Sequence, residues 1–323
     1  METPGSPNPY TFLVGSARSG TTLLRRIVDA HPAIAITRET HWVARFYEKR
    51  RGLTDDGTVT RDLLARLTRS RRFARFGVAE EDLARLIANG TVSYAEFVSG
   101  FYDLVGKARG KRLVGDKTGE YARAVPTLHA LWPSARIVHL IRDGRDVALS
   151  VLSWKERPGA ARFSTWHEDP VMTTAFWWSR NVRLGREGGA DLAGRLYYEL
   201  RYEELVTRPE AECAELCHFL DLPYDDAMVR FHEGRTRHEP GLTPKKGWRP
   251  ITPNLRNWRE QMPAADIERF EAAAGDLLHE LGYERRFPQP SGALHAHATA
   301  IRERITAELQ AKKQRVPAAW SAA

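Results

Sequence analysis

Two glycines and a pair of hydroxyl residues in the segment VGSARSGTT have the spacing of a phosphate-binding loop. Gly15 and Gly20 are five residues apart, as in the loop G-x-x-x-x-G-K-[ST], whose backbone N–H groups bind phosphate. Thr21 occupies the position of the lysine, the side chain that reaches the β- and γ-phosphates. The segment therefore predicts a site for a shorter and less charged 5′ group, with Arg18 and both threonines as further donors.

A second candidate anion site lies in the segment IRDGRDVALS. Arg142 ends an apolar run, and Ser150 follows eight residues later, two turns along the next predicted helix. This spacing allows the two side chains to bind a second, separate phosphate. Asp143 and Asp146 lie between them and are predicted to cap the start of the helix rather than to bind a metal.

Five short apolar runs alternate with helical patterns along the chain, which is typical of a parallel sheet. The predicted strands are residues 10–14, 33–36, 112–115, 135–141 and 195–200. We therefore predict an α/β fold with a P-loop-like, doubly wound parallel sheet of about five strands flanked by helices. Polar residues follow each predicted strand, namely the glycine loop, Glu39, Lys117, Arg142 and Tyr202. Since ligands bind outside the carboxyl ends of the strands in such sheets, these residues should share one crevice.

The composition is that of a globular chain of 323 residues, with 42% hydrophobic residues and a net charge of +8. This charge favours an anionic ligand, but basic and acidic residues are interspersed and no nucleic-acid-binding motif is recognised, so we predict no nucleic-acid partner. No apolar run approaches the roughly 18 residues of a membrane span, and the first residues lack an apolar signal segment. We therefore predict no membrane span and a cytoplasmic location. Cys213 and Cys217 are predicted to be reduced core residues, and a homodimer is compatible with the sequence.

The two anion-binding motifs together resemble those of the sulfotransferases that use 3′-phosphoadenosine 5′-phosphosulfate (PAPS), over residues 10–260. The resemblance implies that the R-S-G-T-T loop binds the 5′-phosphosulfate, and that Arg142 and Ser150 bind the 3′-phosphate. The segment LRYEELVTRPE implies a place for Tyr202 beside the adenine, and KKGWRPITPNLRNWREQM resembles the family's last cosubstrate segment. PAPS would then be the cosubstrate, and 3′-phosphoadenosine 5′-phosphate (PAP) would be the product. The residues so implied in cosubstrate binding are Arg18, Ser19, Gly20, Thr21, Thr22, Arg142, Ser150, Tyr202, Lys246 and Arg256.

Sulfuryl transfer to a hydroxyl group needs a base for the acceptor proton and cations for the developing negative charge. Many members of the family take the base from a K-T-H sequence, but here Gly119 follows Lys117 and Thr118. The segment AITRETHW resembles tyrosylprotein and bacterial small-molecule sulfotransferases, which implies Glu39 as the base of an in-line displacement. His41 and Asp116 are the alternatives.

The same resemblance implies the cations of the reaction. Lys117 would lie against the bridging oxygen, and Arg18 would share this catalytic role from the loop. No metal ion is implied, because fixed cations and N–H donors already neutralise a monoanionic sulfuryl group.

The sequence also predicts how the rest of the chain is organised around this site. Residues 1–290 are predicted to form one domain, followed by a helical tail at 291–323. A helical insertion at about 43–109 and a cap segment at about 155–190 are expected to wall the acceptor pocket. The acceptor is predicted to be the hydroxyl group of a small molecule or a peptide, without a choice among phenols, sugars, lipids and peptides.

Two other functions compete with this interpretation. A P-loop-type kinase would need a loop lysine and an aspartate for Mg²⁺ at the end of a strand, where this chain has Thr21 and Arg142. A non-catalytic nucleotide-binding module would leave Glu39 and Lys117 without a role.

Overall fold

Five parallel strands form a single sheet in the order β2-β3-β1-β4-β5. The computed structural model describes residues 9–70, 73–88, 90–154, 159–233 and 250–314. The strands are β1 (Thr11–Val14), β2 (Ile34–Thr37), β3 (Leu113–Lys117), β4 (Arg136–Ile141) and β5 (Tyr197–Arg201). The predicted α/β fold and all five predicted strands are confirmed. The largest differences are at β3, which continues to Lys117, and at β5, which starts at Tyr197.

Strands β1 to β4 bury both of their faces, as parallel strands between two helical layers do, and β5 at the edge is partly buried. Phe12 and Val14 of β1 point to one apolar cluster, and Leu13 between them points to another. The first face packs against the insertion, which consists of α2 (Val43–Glu48), α3 (Arg61–Thr68), α4 (Glu80–Leu86) and α5 (Tyr94–Ala108), and against α6 (Val125–Leu131). The second face packs against α1 (Thr21–Ala30), α9 (Tyr202–Thr207) and α10 (Pro209–Phe219).

A third apolar cluster lies beyond the end of β4. It joins α7 (Gly144–Leu152), α8 (Pro170–Gly189), α11 (Trp258–Gln261), α12 (Ala264–Ala274), α13 (Leu277–Glu280) and α14 (Gly292–Gln314). Trp177 and Trp178 are both buried in it, so these two residues of the predicted cap belong to the core. Ile301 and Ile305 of α14 are buried in the same cluster, so the predicted tail packs on the domain.

Short 3₁₀ helices complete the described secondary structure. They cover Phe73–Phe76, Gly119–Ala124, Gly159–Arg162, Ser164–His167, Ala190–Leu192 and Asp226–Met228. Cys213 and Cys217 are free and buried, as predicted. Among the helices of the described residues, none has the length and apolarity that a membrane crossing needs.

Strand register places the candidate residues at one edge of the sheet. Leu13 pairs with Lys117, Val14 with His139 and Thr37 with Asp116. The carboxyl ends of β1, β2, β3 and β4 are therefore level, and the loops that follow them open on the same side.

Candidate active site

The glycine loop between β1 and α1 needs glycine at both ends. A Cβ atom at Gly15 would lie 2.5 Å from the carbonyl oxygen of Leu140, and one at Gly20 would lie 2.6 Å from the ring of Tyr202. Gly20 also has a φ of 97°, in the left-handed region that favours glycine. Helix α1 begins directly afterwards at Thr21, so its first N–H groups lie beside the loop.

Buried polar atoms in and near this loop have no hydrogen-bond partner among the described residues. They are the hydroxyls of Ser16 and Ser19 and the Nε of Arg142. Because an unpaired buried polar group is costly, these atoms favour an external anion as their partner. The loop therefore fits the 5′ group of a nucleotide.

Arg142 is buried at the end of β4, where three elements meet. Its guanidinium carbon lies 4.2 Å from the ring centre of Tyr202, the first residue of α9. Its NH2 group lies 3.3 Å from Asp146, whose other carboxylate oxygen accepts a hydrogen bond from the backbone N–H of Trp258. Asp146 therefore positions Arg142 and α11, whereas only Asp143 caps α7, by accepting from the N–H of Arg145. The predicted cap pair is thus one cap and one bridging carboxylate.

Arg18 lies with the second anion site. Its Nε donates to the hydroxyl of Ser150 at 2.8 Å, and its guanidinium carbon lies 4.6 Å from the ring centre of Trp154. Burial lowers the pKa of Arg18, and the positive charges of Arg256 and Arg142 lower it further. Three arginines thus concentrate positive charge around Ser150, which suits a phosphate.

Of the two cosubstrate-binding residues predicted near the C-terminal end, the structure describes one. Arg256 donates to the hydroxyl of Ser153 at 3.1 Å, one helical turn from Ser150. Lys246 lies outside the described residues. The other predicted site residues all lie at this edge of the sheet.

Glu39, in the loop after β2, forms an ion pair at 2.7 Å with Lys117, the last residue of β3. Only 5% of the Lys117 side chain is exposed, compared with 46% of the Glu39 side chain. Burial lowers the pKa of Lys117, while the charge of Glu39 raises it. Lys117 Nζ also lies 3.5 Å from the Thr22 hydroxyl, which joins the pair to the glycine loop.

His41 lies between two carboxylates. Its Nε2 is 3.5 Å from Glu39 and its Nδ1 is 3.0 Å from Glu120. These contacts, above all the one with Glu120, raise the pKa of His41 to about 9. Burial raises the pKa of Glu39, but His41 and Lys117 outweigh it and lower that pKa to about 2. At neutral pH both nitrogens of His41 therefore carry protons, so this ring has no lone pair with which to act as a base.

Asp116 is fully buried and orders the loop that carries Glu39. It accepts hydrogen bonds from the hydroxyls of Thr40 at 2.6 Å, Thr118 at 2.7 Å and Tyr102 at 2.9 Å. Burial raises the pKa of Asp116 to about 6 despite these bonds. Three donors and full burial favour a positioning role for this carboxylate over proton transfer with a bound acceptor.

Glu120, Ser153 and Trp154 take part in the site but did not stand out in the sequence. Glu120 follows Lys117 by three residues, in the 3₁₀ helix after β3, and its place just past a strand was an available signal. Ser153 and Trp154 lie just past the end of α7, and their contacts with Arg256 and Arg18 depend on tertiary packing alone.

Comparisons with known proteins identify the family of the chain. The model of the sulfotransferase family matches residues 9–226. The protein-tyrosine sulfotransferase of Drosophila melanogaster is 26% identical over 284 residues, which cover 85% of this chain and 52% of the relative. The chain thus spans about half the length of that relative. The nodulation protein NoeE of Sinorhizobium fredii is 28% identical over 87% of this chain and 67% of its own length.

A solved structure shares the fold. The sulfotransferase domain of the Synechococcus PCC 7002 olefin synthase matches with a TM-score of 0.57 and 22% sequence identity, over 88% of this chain and 98% of that domain.

Proposed function

Since this chain belongs to the sulfotransferase family, we propose that it transfers the sulfuryl group of PAPS to a hydroxyl acceptor by in-line displacement. The observation that carries the proposal is the Glu39–Lys117 pair, which joins a half-exposed carboxylate and a buried cation beside the glycine loop. A simple nucleotide-binding site would not need this pair.

The cosubstrate would be held at two separate points. The N–H groups of the loop, with Ser19 and Thr22, would bind the 5′-phosphosulfate. The 3′-phosphate would be bound by Ser150 and by three arginines that concentrate positive charge around it, Arg18, Arg142 and Arg256. Tyr202 lies against Arg142 and Gly20, where its ring would support the nucleoside.

The transfer step needs one base and one cation. Glu39 would accept the proton of the acceptor hydroxyl as the new oxygen–sulfur bond forms. The bond from sulfur to the bridging phosphate oxygen breaks, and its electron pair stays on PAP. Lys117 would stabilise the charge that develops on this oxygen, and its burial keeps water from screening the interaction.

The low pKa of Glu39 is consistent with this order of events. A carboxylate that ionises at a pKa of about 2 is a weak base, so proton transfer would accompany or follow S–O cleavage. As negative charge moves to PAP, Lys117 would turn from Glu39 to the leaving oxygen, and the carboxylate would become more basic at that moment.

Thermal unfolding with PAP, and separately with ADP and Mg²⁺, tests the proposal. A ligand at a hundred times its Kd stabilises the folded state by about 2.7 kcal/mol, a shift of a few degrees for a chain of this size. We expect a shift with PAP, followed by transfer from ³⁵S-labelled PAPS in an acceptor screen. A shift with ADP and Mg²⁺ alone would identify a kinase or nucleotidase instead.

A further inference from the structure

A pocket of about 230 Å³ opens beside Glu39, between α2 and the helices that follow it. His41, which contacts Glu39, lies on its wall together with Arg45. Four aromatic side chains form much of the remaining wall: Trp42, Phe46, Phe73 and Phe76. The pocket therefore begins at Thr40 and His41, next to the proposed base, and extends into the helical insertion.

The aromatic wall indicates an apolar occupant of limited size. The ring centres of Trp42 and Phe46 are 6.1 Å apart, and those of Phe73 and Phe76 are 6.3 Å apart. Trp42 and Phe76 also pack on Phe101, which fixes their orientation in the core. A cavity of about 150 Å³ is enough for benzene, so this pocket of about 230 Å³ admits one substituted ring.

The charged side chains of the wall are all basic. His41, Arg45 and Arg66 line the pocket, and no aspartate or glutamate is among the described residues of its lining. His41 is already paired with two carboxylates, and Arg66 is paired with Asp62 at 2.5 Å.

Arg45 differs from the other two basic residues. It is exposed in α2, and within the described part of the chain no carboxylate lies within ion-pair distance of it, although its charge helps to lower the pKa of Glu120. Its guanidinium carbon lies 5.6 Å from the ring centre of Phe46, so its charge is held against the aromatic wall. An anion on the occupant would supply a direct partner at hydrogen-bond distance.

We propose that this pocket selects the acceptor: a single aromatic ring that carries the reacting hydroxyl at the Glu39 end and a short carboxylate at the Arg45 end. The inference rests on the proposed sulfuryl transfer, and it adds the chemical class of the acceptor. Neutral and cationic rings lack the pairing with Arg45, and sugars lack the apolar surface that the four aromatic side chains would cover.

Three ring compounds that differ only in the para substituent test the charge preference. We would titrate the full chain, with and without PAP, with 4-hydroxyphenylacetate, 4-methylphenol and tyramine, by calorimetry. The carboxylate should bind about fivefold tighter than 4-methylphenol, and tyramine should bind weakest, as expected for one partly exposed ion pair. Arg45→Met should remove the preference and leave the affinity for 4-methylphenol unchanged.

Two further variants separate the charge from the aromatic wall. Arg195→Met removes an exposed arginine far along the chain and should change none of the affinities. Phe73→Ala should weaken the binding of all three compounds, because each of their rings loses the same aromatic contact.

Equal affinities for the three compounds, or a preference that persists in Arg45→Met, would overturn the inference. So would a tyrosine peptide that binds when none of the single rings does. Failure of PAP to bind would count against the proposed function alone, since the titrations without PAP still decide what the pocket holds.

Discussion

Lys117 Nζ lies 2.7 Å from Glu39 Oε1, and the lysine is buried whereas the glutamate reaches solvent. The register of β2 and β3 sets this contact, because Thr37 pairs with Asp116 and each catalytic candidate follows within two residues. The cation is therefore held by the sheet, and the carboxylate stays accessible to an acceptor. A buried lysine suits the stabilisation of charge, and an exposed glutamate suits the exchange of a proton with an acceptor.

Replacing Glu39 by glutamine should abolish most turnover and preserve nucleotide binding. Loss of a general base costs about 10²–10⁴-fold in rate, and none of the proposed phosphate contacts involves Glu39. The measurement is kcat with ³⁵S-labelled PAPS, alongside PAP affinity by calorimetry. Glu303→Gln, an exposed glutamate of α14, is the matched control. Full turnover in Glu39→Gln would move the base to Asp116.

Arg142→Ala should weaken PAP about 10- to 100-fold, the range for a lost charge-assisted hydrogen bond, and should affect adenosine 5′-phosphate much less. The difference isolates the 3′-phosphate, which only PAP carries. Arg142 also contacts Asp146 and Tyr202. Arg142→Lys is therefore the matched variant, because lysine keeps the positive charge at this position. Equal losses for the two nucleotides in Arg142→Ala would show that Arg142 is structural.

The free energy of unfolding should fall as the pH rises through about 9, because His41 loses its charge there. The pKa of His41 is raised to about 9, so its contacts with Glu39 and Glu120 contribute fully below pH 6.5, the ordinary value, and are lost as the pH rises through 9. The measurement is urea unfolding from pH 6 to 10. His41→Gln should lower the free energy of unfolding at pH 7 and flatten the decline near pH 9. A decline of the same size in His41→Gln would contradict the prediction.

Gly20→Ala should lower both stability and PAP affinity. The new Cβ atom would meet the Tyr202 ring at 2.6 Å, in addition to the roughly 1–2 kcal/mol that a left-handed backbone costs a non-glycine residue. Gly194 has a φ of 74° with open space around it, so Gly194→Ala reports the backbone cost alone. Urea unfolding and PAP calorimetry on both variants measure the difference. The prediction fails if the two variants lose equal stability and both bind PAP normally.

Much of the framework follows from local patterns in the sequence. Short apolar runs indicate buried strands, and the two spaced glycines indicate a phosphate loop with a left-handed turn. Both patterns can be read from neighbouring residues alone. The convergence of Glu39 and Lys117 follows as well, since parallel strands end at one edge. The identity of the Glu39 partner does not follow. Any nearby cation of this basic chain could pair with Glu39, and the partner is Lys117.

Contacts that depend on side-chain direction could not be predicted in this way. Arg18 was expected beside the reacting group, and its Nε instead donates to Ser150, 132 positions along the chain. The pairing of His41 with Glu120 joins residues 79 positions apart. Neither contact leaves a periodic signal in the sequence, because each is decided by how segments far apart in the chain pack against each other.

Tyr202 makes the glycine loop dependent on the last strand of the sheet. Its ring fills the space that a side chain at Gly20 would take, and it also lies against Arg142. A fragment that ended before β5 would keep the entire glycine-loop sequence and lose this support. If the chain binds PAP as proposed, the affinity would be a property of the assembled sheet, so PAP binding would report complete folding and the isolated motif would not.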